Sequence, residues 1–185
     1  HRDRYYTPST MRWNASASLS WEITIDGRQV RAWGGAINLE ALCRANGIEV
    51  GGAEQAVAQT VLTVSRDTVM KAWVGFDIPA RSDRISTGIG EQGRWENDGH
   101  IFLNGEELLP PVAWQEPGAY NYHFHTWHKP EEEQPYTDEQ LYWMRPAVSL
   151  KLKKGSNTVR IVNPHAFKDQ KWAFAFIPLD SEDIL

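Results

Sequence analysis

The chain is short of cysteine, of basic residues and of long apolar runs, and each shortage excludes a class of protein. Its single cysteine, Cys43, excludes an internal disulfide; it lies in an apolar stretch, so we expect a small buried side chain rather than a nucleophile. A formal net charge of -5 argues against nucleic-acid binding, which requires a basic stripe. No apolar stretch reaches the roughly 20 residues of a membrane helix, and the N-terminus shows no signal-peptide pattern.

What the chain has in excess is tryptophan, with 9 copies in 185 residues. We expect most of them in the core, because the indole is the largest apolar side chain, and a minority on the surface, where flat rings stack on sugars. Hydrophobic residues at 41% and charged residues at 23% argue against disorder. A chain of this length suits one well-cored domain, and we expect residues 1–185 to form one.

Alternating apolar and polar residues predict short strands joined by tight turns. Trp21, Ile23 and Ile25 alternate with polar neighbours, and Asp26-Gly27 and Asn104-Gly105 are typical of hairpin turns. Ala36 to Cys43 fits either a strand or a short helix. Further strands are predicted at Thr60 to Val64, Thr68 to Phe76, Val148 to Leu152, Val159 to Ile161 and Lys171 to Pro178. This series favours an all-β fold, a two-sheet antiparallel β-sandwich or jelly roll.

The segment from about Pro110 to Pro146 differs from the rest, since it is rich in proline and aromatic residues and lacks strand signals. Connections this long are usually functional or form a packed cover. As a functional surface, it would present Trp114 and Trp127 to carbohydrate; as a cover, it would pack over one sheet.

Several motifs occur in an order that resembles a known family. They are Trp33-Gly34-Gly35-Ala36-Ile37, Trp73-Val74-Gly75-Phe76, Arg81-Ser82-Asp83, Gly93-Arg94-Trp95, Phe102-Leu103-Asn104-Gly105, Pro110-Pro111, Arg145-Pro146, Leu152-Lys153-Lys154-Gly155-Ser156-Asn157-Thr158-Val159 and Lys171-Trp172-Ala173-Phe174. Together they resemble the C-terminal β-sandwich of bacterial family 20 glycoside hydrolases, the β-N-acetylhexosaminidases.

The resemblance implies a galactose-binding-like sandwich that follows a catalytic barrel in a longer, exported bacterial enzyme. The family's adjacent Asp-Glu pair belongs to the barrel, and Asp138-Glu139 here does not carry that role over. Sandwiches of this type often hold structural calcium, bound by carboxylate and backbone oxygens. Because no DxDxDG loop is present, calcium stays only a candidate cofactor.

A polar, glycine-rich loop between two predicted strands carries candidate carbohydrate-binding residues: Arg81, Asp83, Arg84, Trp95 and Asp98. In the functional interpretation, the charged groups hydrogen-bond sugar hydroxyls and the indole stacks on a sugar face. In the structural alternative, the arginines pair with the aspartates to hold the loop, and the indole caps the core.

A second pattern suggests a metal. His123 and His125 alternate on one strand and Glu131 follows, which approaches the facial ligand set of cupins, with His165 as a fourth ligand. The glutamate spacing is one residue too long, however, and the second cupin motif is missing. Histidines that simply pack in the loop are the alternative.

From these observations we expect a non-catalytic ancillary domain of a β-N-acetylhexosaminidase-like glycoside hydrolase. Its expected partners are the catalytic barrel of the same polypeptide and glycan. A free-standing carbohydrate-binding module is the alternative, and a cupin-like metal-dependent enzyme using His123 and His125 is a third reading.

Overall fold

The structure, a computed structural model, describes residues 19–76, 95, 97–110, 147–166, 172–179 and 183–185. These residues form strands β1 (Ser20–Ile25), β2 (Arg28–Trp33), β3 (Ala36–Asn38), β4 (Gln55–Val64), β5 (Thr68–Phe76), β6 (His100–Leu103), β7 (Glu106–Leu108), β8 (Val148–Leu152), β9 (Gly155–Pro164) and β10 (Ala173–Pro178), with helix α1 (Leu39–Ala45). The predicted all-β class is confirmed.

The strands form two antiparallel sheets. One has six strands in the order β2-β1-β4-β9-β6-β7, and the other has four in the order β3-β10-β5-β8. The longest pairing joins β4 and β9, from Gln55 opposite Pro164 to Val64 opposite Gly155. The two-sheet antiparallel sandwich predicted from the sequence is therefore confirmed.

Aromatic contacts between the sheets mark the centre of the core. Trp21 on β1 packs edge-to-face on Phe174 and Phe176 of β10, with ring centroids 5.0 Å and 6.1 Å apart. Its indole nitrogen donates a hydrogen bond to the Gly34 carbonyl, 2.7 Å away, so the buried polar atom is satisfied. Trp172, Phe174 and Phe176 all belong to this core, as their predicted common face requires.

The two predicted hairpin turns are confirmed by their backbone angles. Asp26 and Gly27 have φ values of 48° and 80°, and Asn104 and Gly105 have values of 51° and 83°. Positive φ at both central residues is the geometry that favours Asn-Gly and Asp-Gly pairs, because the twist of such a turn matches that of the strands.

The stretch from Ala36 to Cys43, which the sequence left open, contains both elements. It begins as β3 and continues as α1, and the Asn38 side chain caps the helix by accepting a hydrogen bond from the Ala41 amide at 3.1 Å. Cys43 lies on the inner face of the helix and is fully buried, as predicted.

The outer faces of the two sheets differ. On β10, Ala175 and Ile177 point away from the main core and are still buried, beside the partly buried Trp73. On the six-stranded sheet, outward side chains such as Val61 and Trp33 are exposed. The four-stranded sheet is also open in part, since Val69 on the outer face of β5 is 64% exposed. No helix in the described ranges is long and apolar enough to cross a membrane.

Candidate ligand-binding groove

A groove of about 350 Å³ lies on the outer face of the six-stranded sheet. It is lined by Gln59, Phe102, Gly105, Thr158, Val159 and Arg160. Strand pairing creates its central row, because Arg160 on β9 lies opposite Gln59 on β4 and opposite Phe102 on β6. Neighbouring strands are about 4.8 Å apart, so these three side chains stand side by side on one face.

The Phe102 ring is the apolar element of the groove, and its neighbours hold it in place. The Arg160 guanidinium lies 5.9 Å from the ring centroid, near the outer limit of a cation–π contact. The His100 ring also lies near it, with ring centroids 6.0 Å apart and an angle of 21° between the planes. The ring stays partly exposed, so it combines a fixed orientation with an accessible surface.

The end of the groove at Gly105 and Thr158 is fixed by a hydrogen-bonded corner. The Asn104 amide donates to the Thr158 carbonyl at 2.8 Å, and the Thr158 amide donates to the Asn104 side-chain oxygen at 2.9 Å. The Asn104 side-chain amide in turn donates to the buried Asn157 oxygen at 2.9 Å. The turn that carries Gly105 is therefore tied to β9 by both backbone and side chains.

The carboxylates next to the groove contact basic side chains, whereas the Arg160 guanidinium has no carboxylate partner among the described residues. Glu22 pairs with Arg31 at 2.9 Å, and Glu107 contacts the His100 ring nitrogen at 2.7 Å. Among the described residues, no carboxylate lies within ion-pair distance of Arg160. The groove thus combines an aromatic ring, an amide, a hydroxyl and a guanidinium, a set suited to a ligand with an apolar face and many oxygen acceptors.

Two residues of the predicted loop site lie in the described structure. Trp95 is 1% exposed, packs edge-to-face on Phe76 at 5.6 Å and donates its indole N–H to the Leu108 carbonyl at 3.2 Å. Asp98 is exposed with φ of 59°, and its amide donates to the Trp95 carbonyl at 3.0 Å in the turn before β6. Trp95 therefore lies in the core, as the alternative in which its indole caps the core expects, and its ring offers little surface to a sugar.

The other predicted carbohydrate contacts lie outside the described residues. They are Arg81, Asp83, Arg84, Trp114 and Trp127. Their roles stay predictions, as does the cover formed by the proline-rich segment.

The predicted metal ligands His123, His125 and Glu131 also lie outside the described residues. His165 is described and is 3% exposed; its ring stacks on Trp172 at 4.2 Å, and its Nδ1 lies 3.0 Å from the Ala53 carbonyl. These contacts give it a packing role. In the described ranges, no group of three or more histidine, cysteine, aspartate or glutamate side chains could hold a metal ion.

Sequence reasoning missed Gln59, Phe102, Thr158 and Arg160. A signal for one of them was present, because Phe102 alternates with the apolar Ile101 and Leu103 and so points outward. The sequence does not show that β9 lies between β4 and β6, and the groove depends on that order.

No protein-family model matches the chain, and no curated protein matches it. Among solved structures, the chain is similar to the GH31 α-xylosidase from Xanthomonas citri, with a TM-score of 0.33 and 10% identity. The match covers 88% of this chain and 16% of that chain, so this chain spans about a sixth of the α-xylosidase. A likeness this weak to an enzyme outside family 20 carries no argument about function.

Proposed function

We propose that the chain is a non-catalytic sandwich domain of a β-N-acetylhexosaminidase-like glycoside hydrolase, which packs on the catalytic domain and contacts glycan through the groove. The observation that carries the glycan contact is the row of Gln59, Arg160 and Phe102 across three adjacent strands. The ordered sequence motifs support the enzyme family and, with it, an exported bacterial location.

The chemistry of the groove supports saccharide rather than a fully apolar ligand. A sugar ring has an apolar face that can stack on Phe102 and hydroxyls that can bond the amide, hydroxyl and guanidinium beside it. One partly exposed ring and a few exposed polar groups provide limited contact, so we expect dissociation constants on the order of 1 mM.

The test is a titration of the purified chain, followed by nuclear magnetic resonance, with oligomers of N-acetylglucosamine and of galactose. We expect saturable shifts for at least one series, and Phe102→Ala should weaken binding at least tenfold, because it removes the stacking surface. Val61→Ala is the matched control, since Val61 is 53% exposed on the same sheet face and does not line the groove. Flat titrations with both series would exclude contact with these neutral glycans.

The groove fits a free-standing carbohydrate-binding module equally well, and the parent gene separates the two. A barrel-length region with an adjacent Asp-Glu pair upstream of His1 would support the ancillary domain. A gene without such a region would support the free-standing module.

A further inference from the structure

We infer that the groove selects a saccharide that carries a carboxylate, such as a uronic acid, and that Arg160 binds this group. The inference rests on the proposed glycan contact and adds the chemical class of the sugar. It starts from the ion pairs on this sheet face, where Arg160 is a cation with no carboxylate partner among the described side chains.

Each carboxylate on this face next to the groove is already engaged. Glu22, which lies opposite Gln59, pairs with Arg31, and Glu107, which lies opposite Phe102, contacts His100. Arg160 has no such carboxylate partner among the described residues, so its guanidinium is open to an acidic group although the whole chain carries a formal charge of -5. Local charge governs contacts shorter than the Debye length, which is roughly 8 Å at physiological salt.

The position of Arg160 suits a group attached to a stacked sugar ring. Its guanidinium lies 5.9 Å from the Phe102 centroid, so a sugar stacked beside it on Phe102 would direct a ring substituent toward the guanidinium. A carboxylate can accept two parallel N–H bonds from a guanidinium, whereas a neutral hydroxymethyl group accepts a weaker, uncharged bond. The difference predicts a preference for the acidic sugar of about tenfold at low ionic strength.

The experiment compares methyl β-D-glucuronide with methyl β-D-glucoside, two ligands that differ only in the group at C6. We expect the glucuronide to bind about tenfold more tightly in low salt, with the preference shrinking as salt rises. Arg160→Gln should remove most of the preference while leaving the thermal midpoint unchanged. Arg31→Gln is the matched control, because Arg31 is an exposed arginine of the same face that is paired with Glu22.

The outcomes separate the two proposals. Equal binding of both sugars by the natural protein would overturn the acidic preference and leave the glycan contact standing. A preference that survives Arg160→Gln would also overturn the role of Arg160. If neither these two sugars nor the neutral oligomers bind, the proposed function itself fails.

Discussion

Asn157 is the residue whose replacement tests most directly how the groove is held together. Its side chain is fully buried, and its oxygen accepts hydrogen bonds from the Lys153 amide and the Asn104 side chain, both at 2.9 Å. Its two amide N–H groups are shared among the carbonyls of Leu62, Lys153 and Gly155, which lie 3.2, 2.8 and 3.1 Å from the nitrogen. One side chain therefore joins β4, the β8–β9 turn and the β6–β7 hairpin.

Asn157→Leu keeps a similar side-chain volume and removes every one of these bonds. It leaves the buried Leu62 carbonyl and the Lys153 amide without this partner, and a buried unsatisfied group costs about 1–3 kcal/mol. Water can reach part of the turn, since the Lys153 bond is only partly buried. We therefore expect the free energy of unfolding to fall by roughly 2–4 kcal/mol.

Urea unfolding followed by tryptophan fluorescence measures this change. With a slope of about 2 kcal/mol per molar urea, the midpoint should fall by roughly 1–2 M. Ser156→Ala is the matched control, because Ser156 is the exposed neighbour on the same strand and should change stability by no more than about 0.5 kcal/mol. A shift for Asn157→Leu no larger than that of the control would refute the view that this side chain holds the corner.

Two further predictions concern the core. Gly99→Ala should lower the thermal midpoint by several degrees, because the new Cβ would lie 2.5 Å from a ring carbon of Phe76. Gly51→Ala is the control, since a Cβ at Gly51 would meet nothing within 4 Å. Equal thermal midpoints for the two variants would contradict the expected clash at Gly99. Burial raises the pKa of the Cys43 thiol above its ordinary value and keeps reagents away from it, so a disulfide reagent should label the protein only after unfolding. Prompt labelling of the native protein would contradict the buried position.

The sequence predicted most of the strands because their signals are local. Turn pairs such as Asp26-Gly27 and the alternation of apolar residues depend only on neighbouring residues. The prediction for β4 began at Thr60 and missed its first half, where the buried positions are Ala56 and Ala58. Alanine is a weak strand former, so the alternation there carries little signal. The switch from β3 to α1 was left open because each element is too short for its period to be recognised.

The groove could not be predicted in the same way, because it is a product of strand order. Gln59 and Arg160 are about 100 residues apart in sequence and become neighbours only when β4 pairs with β9. Antiparallel pairing of distant strands follows from the whole core and leaves no local mark in the sequence. The alternation within each strand can predict which side chains point outward. It cannot predict which of them lie side by side on neighbouring strands.

The buried position of Trp95 also changes which substitution can test glycan contact. Its indole bonds the Leu108 carbonyl of β7, so it supports the β6–β7 hairpin that carries Phe102 and Gly105. Loss of binding in a Trp95→Ala protein would therefore follow from a displaced hairpin as readily as from a lost stacking surface. Phe102 is partly exposed at the groove and its removal leaves the Trp95 anchor intact. Phe102→Ala therefore separates loss of contact from loss of support, which Trp95→Ala cannot do, and it is the substitution that tests glycan binding in this groove.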